Sequence, residues 1–325
     1  MKKFLALMLA LCMVFALCAC GGGGAAKTSG GPFAPDGPVT LIVAYKAGSG
    51  TDGPARILAQ YAEKYIGQTV VVENVPGGSG SIGWSQLAAS DPDGMTIGVM
   101  NLPNFNTTIT EELGTYTTAD FKAICNHVTE TSIVIVRADD DRFPDLNTLV
   151  EYGKAHPGEL RASTNGNHAS NHLGAQLFAK SAGFSYIDIP QGGTADQLLS
   201  LRNKESDFTV VKLGDISGQE SAYKVLGIFA LERDARWPDV PTLGELGYYD
   251  KWVGASRAIV APAGVSDEVI SFYEDALKKT MEDPDYIAAA ASFDTNFLDH
   301  EATAALIEEQ QAAAEAQTDE FWSFD

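Results

Sequence analysis

The chain is poor in cysteine and positive charge, and it has almost no long apolar runs. It contains four cysteines in 325 residues, and Cys12, Cys18 and Cys20 all fall within the first twenty. Only Cys125 lies in the body, so no disulfide can form there and burial must hold the fold. Cys125 sits in the alternating stretch Phe121-Lys-Ala-Ile-Cys125, where a buried small hydrophobe is expected rather than a reactive thiol. Lysine and arginine number 22 against 43 aspartates and glutamates, a formal charge of −21. Such acidity argues against nucleic acid and against anionic lipid headgroups. It leaves room for an anionic ligand in a locally positive cleft.

Signatures of catalysis and of metal binding are also missing. Gly-x-Ser-x-Gly does not occur at a strand-to-helix elbow, and HExxH is absent. The run Asp139-Asp140-Asp141 lacks the longer ligand pattern of a calcium loop. The expectation is no catalytic residue, no metal and no cofactor.

Apolar residues are concentrated at the N-terminus. Met1-Lys2-Lys3 precedes an almost wholly apolar stretch over 4–17, followed by Leu17-Cys18-Ala19-Cys20 and four glycines. This predicts a secretory signal over 1–19, too short for a comfortable membrane span. The cleavage site resembles the lipobox of bacterial lipoproteins, which makes Cys20 the expected lipidation site. Loss of Lys2 and Lys3 would take the charge from −21 to −23. Residues 20–36, rich in Gly, Ala, Ser, Thr and Pro, read as a flexible tether. Two acyl chains on Cys20 would anchor an extracytoplasmic protein to the membrane by lipid alone.

From residue 39 onward, strand and helix patterns alternate. Apolar strands are predicted over 39–44, 69–73 and 95–100, with helices over 52–66 and 82–89 between them. Such alternation is the pattern of a parallel sheet with helices on its faces. A second series follows, with strands over 132–136, 160–163, 186–189, 208–211 and 225–230, and helices between. Residues 259–262 read as a strand end, and 267–281 and 300–321 as helices.

Three polar loops link a strand to a helix. The first is Tyr45-Lys46-Ala47-Gly48-Ser49-Gly50-Thr51-Asp52, with Asp52 as the expected cap of the next helix. Its small residues let a ligand approach the backbone, and helix N-terminal amides favour an anion. It lacks the lysine of a Walker loop and is not read as a dinucleotide fingerprint. The second runs from Ser163 to His172 and supplies Thr164, Asn165, Gly166, Asn167, His168 and Ser170 as neutral donors and acceptors. His168 and His172 stand four apart, where capping or orienting is the expected role rather than metal ligation. The third is Pro190-Gln191-Gly192-Gly193-Thr194.

Read together, these segments resemble the tripartite tricarboxylate transporter substrate-binding proteins, the Bug or TctC family. The resemblance rests on Pro38-Val-Thr-Leu-Ile-Val-Ala-Tyr-Lys-Ala-Gly-Ser-Gly-Thr-Asp52, Gly67-Gln-Thr-Val-Val-Val-Glu-Asn-Val-Pro-Gly-Gly78 and Asp91-Pro-Asp-Gly-Met-Thr96. His156-Pro-Gly-Glu-Leu160, Trp237-Pro-Asp-Val-Pro-Thr-Leu243 and Ala261-Pro-Ala-Gly264 follow in family order. It implies an α/β, two-lobed periplasmic-binding-protein-like fold of type II, each lobe a mixed sheet flanked by helices, with a ligand cleft between. Lobe 1 would comprise 37–136 and 240–325, and lobe 2 would comprise 137–239. The implied function is capture of a small carboxylated solute by a monomer that hands it to permease subunits of a tripartite tricarboxylate transporter. The carboxylate would be held by Tyr45 and 47–52, by Asn101, by 164–168 and Ser170, and by the third loop.

The chain departs from the family pattern at Gln191-Gly192, at Arg257-Ala-Ile-Val-Ala-Pro262 and at Lys212. Arg257 or Lys212 is accordingly expected to meet a second anionic group of the ligand, unless an acidic neighbour claims it. The alternatives are a ligand-sensing protein docking on a signalling receptor, and an exported hydrolase with His168 or His172 as base.

Overall fold

The structure, a computed structural model, describes residues 33–317 and 319–324. The predicted signal, Cys20 and the tether as far as 32 lie outside the described residues. The tether's last residues are docked rather than loose. The Phe33 ring meets Phe272 edge-on at 5.3 Å, and its amide donates to Glu268 Oε1 at 2.9 Å.

The expected series is present as β1 (Val39–Val43), α1 (Asp52–Ile66), β2 (Val70–Asn74), α2 (Ser81–Ala88) and β3 (Thr96–Leu102). These strands pair in parallel, β2-β1-β3. Helix α1 ends where Gly67 takes a left-handed φ of 79°. Helix α2 lies so close to β1 that a Cβ on Gly83 would sit 2.8 Å from Ala44 Cα. A short helix absent from the sequence pattern, α3 (Asn104–Thr110), follows β3.

The largest departure is β4 (Phe121–Arg137), one 17-residue strand where two separate segments were expected. Residues 121–131 pair antiparallel with β9 (Gly254–Pro262), which in turn pairs antiparallel with β3. Beyond Ser132 the same strand pairs with β7 (Phe208–Lys212) and β8 (Tyr223–Ile228). The parallel strands β5 (Arg161–Thr164) and β6 (Ile187–Pro190) extend from β7. The sheet order is β2-β1-β3-β9-β4-β7-β5-β6, with β8 and β10 (Thr295–Leu298) also on β4. The sheet is therefore mixed, because β4 and β9 run against their neighbours.

Each half of this sheet has apolar layers of its own. Leu41, Val43, Leu58 and Cys125 pack with Val269 and Tyr273 of α7 (Asp267–Met281), and Trp84 packs with Phe105. The second half is built on Val134, Phe178, Phe208 and Phe229, and on Ile133, Leu198 and Ile228. Its helices are α4 (Leu146–Ala155), α5 (Ser170–Ala182) and α6 (Thr194–Arg202). Cys125 is fully buried, as its alternating strand predicts, and burial pushes its thiol pKa up.

The chain returns from the second half through β9. Helix α7 is capped by Ser266, whose side chain accepts from the Val269 amide, and α8 (Pro284–Ala289) precedes β10. Helix α9 (His300–Glu315) is shorter than the expected 300–321, and α10 (Asp319–Trp322) follows as a separate turn. None of the described helices is long and apolar enough to cross a membrane.

Candidate functional site

The first loop is organised by its own acidic residue. Thr51, not Asp52, is the N-cap of α1, and Asp52 is its first helical residue. The Asp52 carboxylate is buried and fully engaged. Oδ2 accepts from the Gly48 amide at 2.8 Å and from Arg56 Nε at 2.9 Å, while Oδ1 accepts from Asn74 Nδ2 at 2.8 Å. These hydrogen bonds outweigh the opposing effect of burial and hold its pKa below the usual carboxylate range. Asp52 thus shapes the loop through its side chain. Ala47, Gly48 and Gly50 are left exposed.

Gly48, Gly50 and Gly53 do stand at the G-x-G-x-x-G spacing of dinucleotide folds. Here the end of β2 is already occupied, since Asn74 donates to Tyr45 O at 3.0 Å as well as to Asp52. The position that would receive a ribose is part of the loop's scaffold.

Tyr45 joins this loop to the sheet. Asn104 Nδ2 donates to its hydroxyl at 3.2 Å, and burial lifts its pKa to about 12. Asn101, beside it on β3, is buried with Oδ1 unpartnered among the described residues. Asn104 also reaches the other half, where its Oδ1 accepts from the Ser170 amide at 2.9 Å. The first turn of α5 is thereby tied to the first turn of α3.

The second loop is held from several sides. Thr164 Oγ1 donates to Asp188 Oδ1 at 2.8 Å, and Asn165 Oδ1 accepts from the Asn171 amide at 3.1 Å. His172 Nδ1 accepts from the His168 amide at 2.9 Å, an orienting contact. Burial lowers the His172 pKa to about 4, so its ring is neutral at pH 7. The His168 ring meets the Glu111 carboxylate from the first half and stacks on Trp322 at 4.2 Å. Asn167 is exposed at the tip. The third loop follows the second through its backbone, with Gln191 N donating to Thr164 O at 2.9 Å and Gly192 exposed.

Between the loops lies a cluster of four charges. Lys212 and Arg257 are both buried, as is Glu130. Arg257 and Glu130 form an ion pair through Nη1 and Oε2. The Arg257 Nε is buried without a partner among the described residues. Lys212 Nζ donates to Asn171 Oδ1 at 2.6 Å and to Ser132 Oγ at 3.1 Å. Burial lowers its pKa to about 8. The Lys212 amide donates to Asp215 Oδ2 at 2.8 Å. Burial and the nearby Glu130 raise the Asp215 pKa. Asn171 is fixed in turn by Gln197, whose Oε1 accepts from Asn171 Nδ2 at 2.8 Å.

The cluster touches the first loop. The position of a Cβ on Gly50 lies 3.5 Å from Asp215 Oδ1 and 3.6 Å from Arg257 Nη2. Along the seam between the sheet halves, Tyr45 is thus linked to Ser170 through Asn104, and Gly50 stands against Arg257 and against Asp215, the partner of the Lys212 amide. An acidic neighbour claims Arg257, and Lys212 has two neutral partners. Sequence reasoning missed Glu130, Asp215, Asn104 and Asn171. A signal existed for Glu130, the one carboxylate within the largely apolar strand β4.

A curled mixed sheet in two halves, joined by long strands and with helix N-termini at the seam, is the fold of the periplasmic binding proteins. The sequence profile described as "Tripartite tricarboxylate transporter family receptor" (TctC) matches residues 54–319. A UPF0065 protein of Bordetella pertussis is 30% identical over 262 residues, covering 78% of this chain and 79% of that one. The structure of periplasmic binding protein BugD superposes with a TM-score of 0.78 at 27% identity, covering 88% and 98% of the two chains. A Rhodopseudomonas palustris protein solved with adipate shares the fold, with a TM-score of 0.79 at 21% identity, covering 86% and 96%. This chain belongs to the tripartite tricarboxylate transporter family of solute-binding receptors.

Proposed function

We propose that the chain is an extracytoplasmic, lipid-anchored receptor that captures a small carboxylated metabolite at the seam. It would deliver that solute to the permease subunits of a tripartite tricarboxylate transporter. One observation carries the reading: loops from different sheet halves, each leading to a helix N-terminus, meet where Asn104 Oδ1 accepts from Ser170 N. Helix N-termini attract carboxylates, and the small residues at 47–50 let one approach the backbone.

In this reading the halves act as lobes, 37–136 with 240–325 and 137–239. Ligand would draw them together, so that a permease distinguishes loaded from empty receptor. The anchor at Cys20 would keep a released solute near its permease. The receptor works as a monomer and not as an enzyme. His172 gives no support to a hydrolase, because its Nδ1 is already taken by the His168 amide.

A thermal-shift screen over mono-, di- and tricarboxylates and amino acids tests the reading, since a ligand of the folded state raises Tm. A hit should also compact the protein in small-angle scattering. No stabilisation by any carboxylate would overturn the proposal. Cys20→Ser should release the protein from membranes without lowering its affinity in solution.

A further inference from the structure

The seam carries both signs of charge. Arg257 and Lys212 supply two cations, and Glu130 and Asp215 two carboxylates. A dianionic ligand entering this balanced cluster would leave its own charge uncompensated, and a buried charge without a partner is costly. A ligand that brings both signs would not disturb the balance.

The geometry names where each sign would go. Asp215 Oδ1 and Arg257 Nη2 lie within 3.6 Å of one point beside Gly50, an acceptor and a donor facing the same part of the first loop. The Arg257 side chain is more than nine-tenths buried, and its Nε has no partner among the described residues. The ion pair with Glu130 runs through Nη1, on one side of the guanidinium. A second carboxylate could take the remaining edge, in the forked arrangement arginine favours. Lys212 holds the backbone of this corner, since its amide binds Asp215 Oδ2 and leaves Oδ1 toward Gly50.

We infer that the site selects carboxylates bearing a protonated amine next to the carboxylate, with Arg257 receiving the carboxylate and Asp215 the ammonium. This inference rests on the carboxylate-receptor reading above and narrows its substrate class to amino-acid-type zwitterions.

The test uses the full chain and matched probes that differ only by the amine: L-alanine with propionate, L-glutamate with glutarate, and so through the protein amino acids and their desamino acids. Thermal shift finds the binding pairs and calorimetry measures them. The amino member of a binding pair should bind at least about tenfold tighter, the worth of one charge-assisted hydrogen bond. Asp215→Asn should abolish that preference while Tm without ligand shows the variant folded. Gly50→Ala should fold, its methyl making only ordinary contacts, and should lose both members of the pair. Equal or tighter binding of the desamino acids would overturn this inference and leave the carboxylate reading standing. Unchanged binding by Gly50→Ala would also overturn it. Binding by neither series would overturn both.

Discussion

Arg257 of β9 and Glu130 of β4 form an ion pair with both side chains almost wholly out of solvent. They stand on neighbouring strands at the place where β4 passes from one half of the sheet to the other. The pair decides how much charge the seam offers a ligand, because one guanidinium edge is already neutralised.

Breaking the pair should cost more than removing it. Glu130→Ala or Arg257→Ala leaves a buried charge alone and should lower the unfolding free energy by about 3–5 kcal/mol. Glu130→Leu combined with Arg257→Met should cost clearly less than the sum of the two single truncations. Urea denaturation of all the variants checks this, and simple additivity would refute the coupling.

Lys212 should make stability rise with pH on the alkaline side. Its folded pKa of about 8 lies below the ordinary 10.5, so between those values the unfolded chain holds more protons. The stability difference between wild type and Lys212→Met should therefore shift in favour of wild type by about 3 kcal/mol from pH 7.5 to 10.5. Urea midpoints across that range measure the shift, and parallel curves would contradict it.

The acid side has a slope of the same sign. Burial lowers His172 to about 4 and His127 to about 3, each below the ordinary 6.5. As pH falls from 6.5 toward 4 the unfolded state takes up protons that these rings do not, so stability falls. His127→Phe and His172→Phe should each flatten this part of the profile. Side-chain NMR should find both rings neutral at pH 5.5, and a charged ring at either position would be the contrary result.

Two glycine-to-alanine changes in helices should act with opposite sign. Gly53 in the first turn of α1 has open space around its Cβ position, and alanine there should stabilise by about 0.5–1 kcal/mol. In α2, a Cβ on Gly83 would press on the Ala44 backbone and on Val75 O at 2.9 Å, so alanine there should destabilise by about 1–3 kcal/mol despite its helix propensity. Thermal denaturation of the two variants decides both signs.

Much of this molecule is written locally. The 3.6-residue repeat of Leu58, Ala62 and Ile66 and the caps at Asp145, Ser266 and Gly67 are short-range features, and they give most helices within a residue or two. The three strand-to-helix loops are legible for the same reason, since small and polar residues must follow a strand that ends at a surface. Asp52 was legible as a helix-start residue, but not as the group that folds its own loop. Its partners Gly48 and Arg56 are near in sequence, whereas Asn74 arrives only when β2 pairs with β1.

The sequence by itself determined the alternation of strand and helix, the acidic balance, the glycine-rich first loop and the family to which these belong. Only the tertiary structure decided that β4 is one strand serving both halves, because its middle residues gain their meaning from β9, β7 and β8. It alone set Glu130 against Arg257, gave Lys212 to Asn171 and Ser132, and brought Asp215 to face Gly50. A buried charge is stable only beside its partner, and here the partners come from strands and loops far apart along the chain.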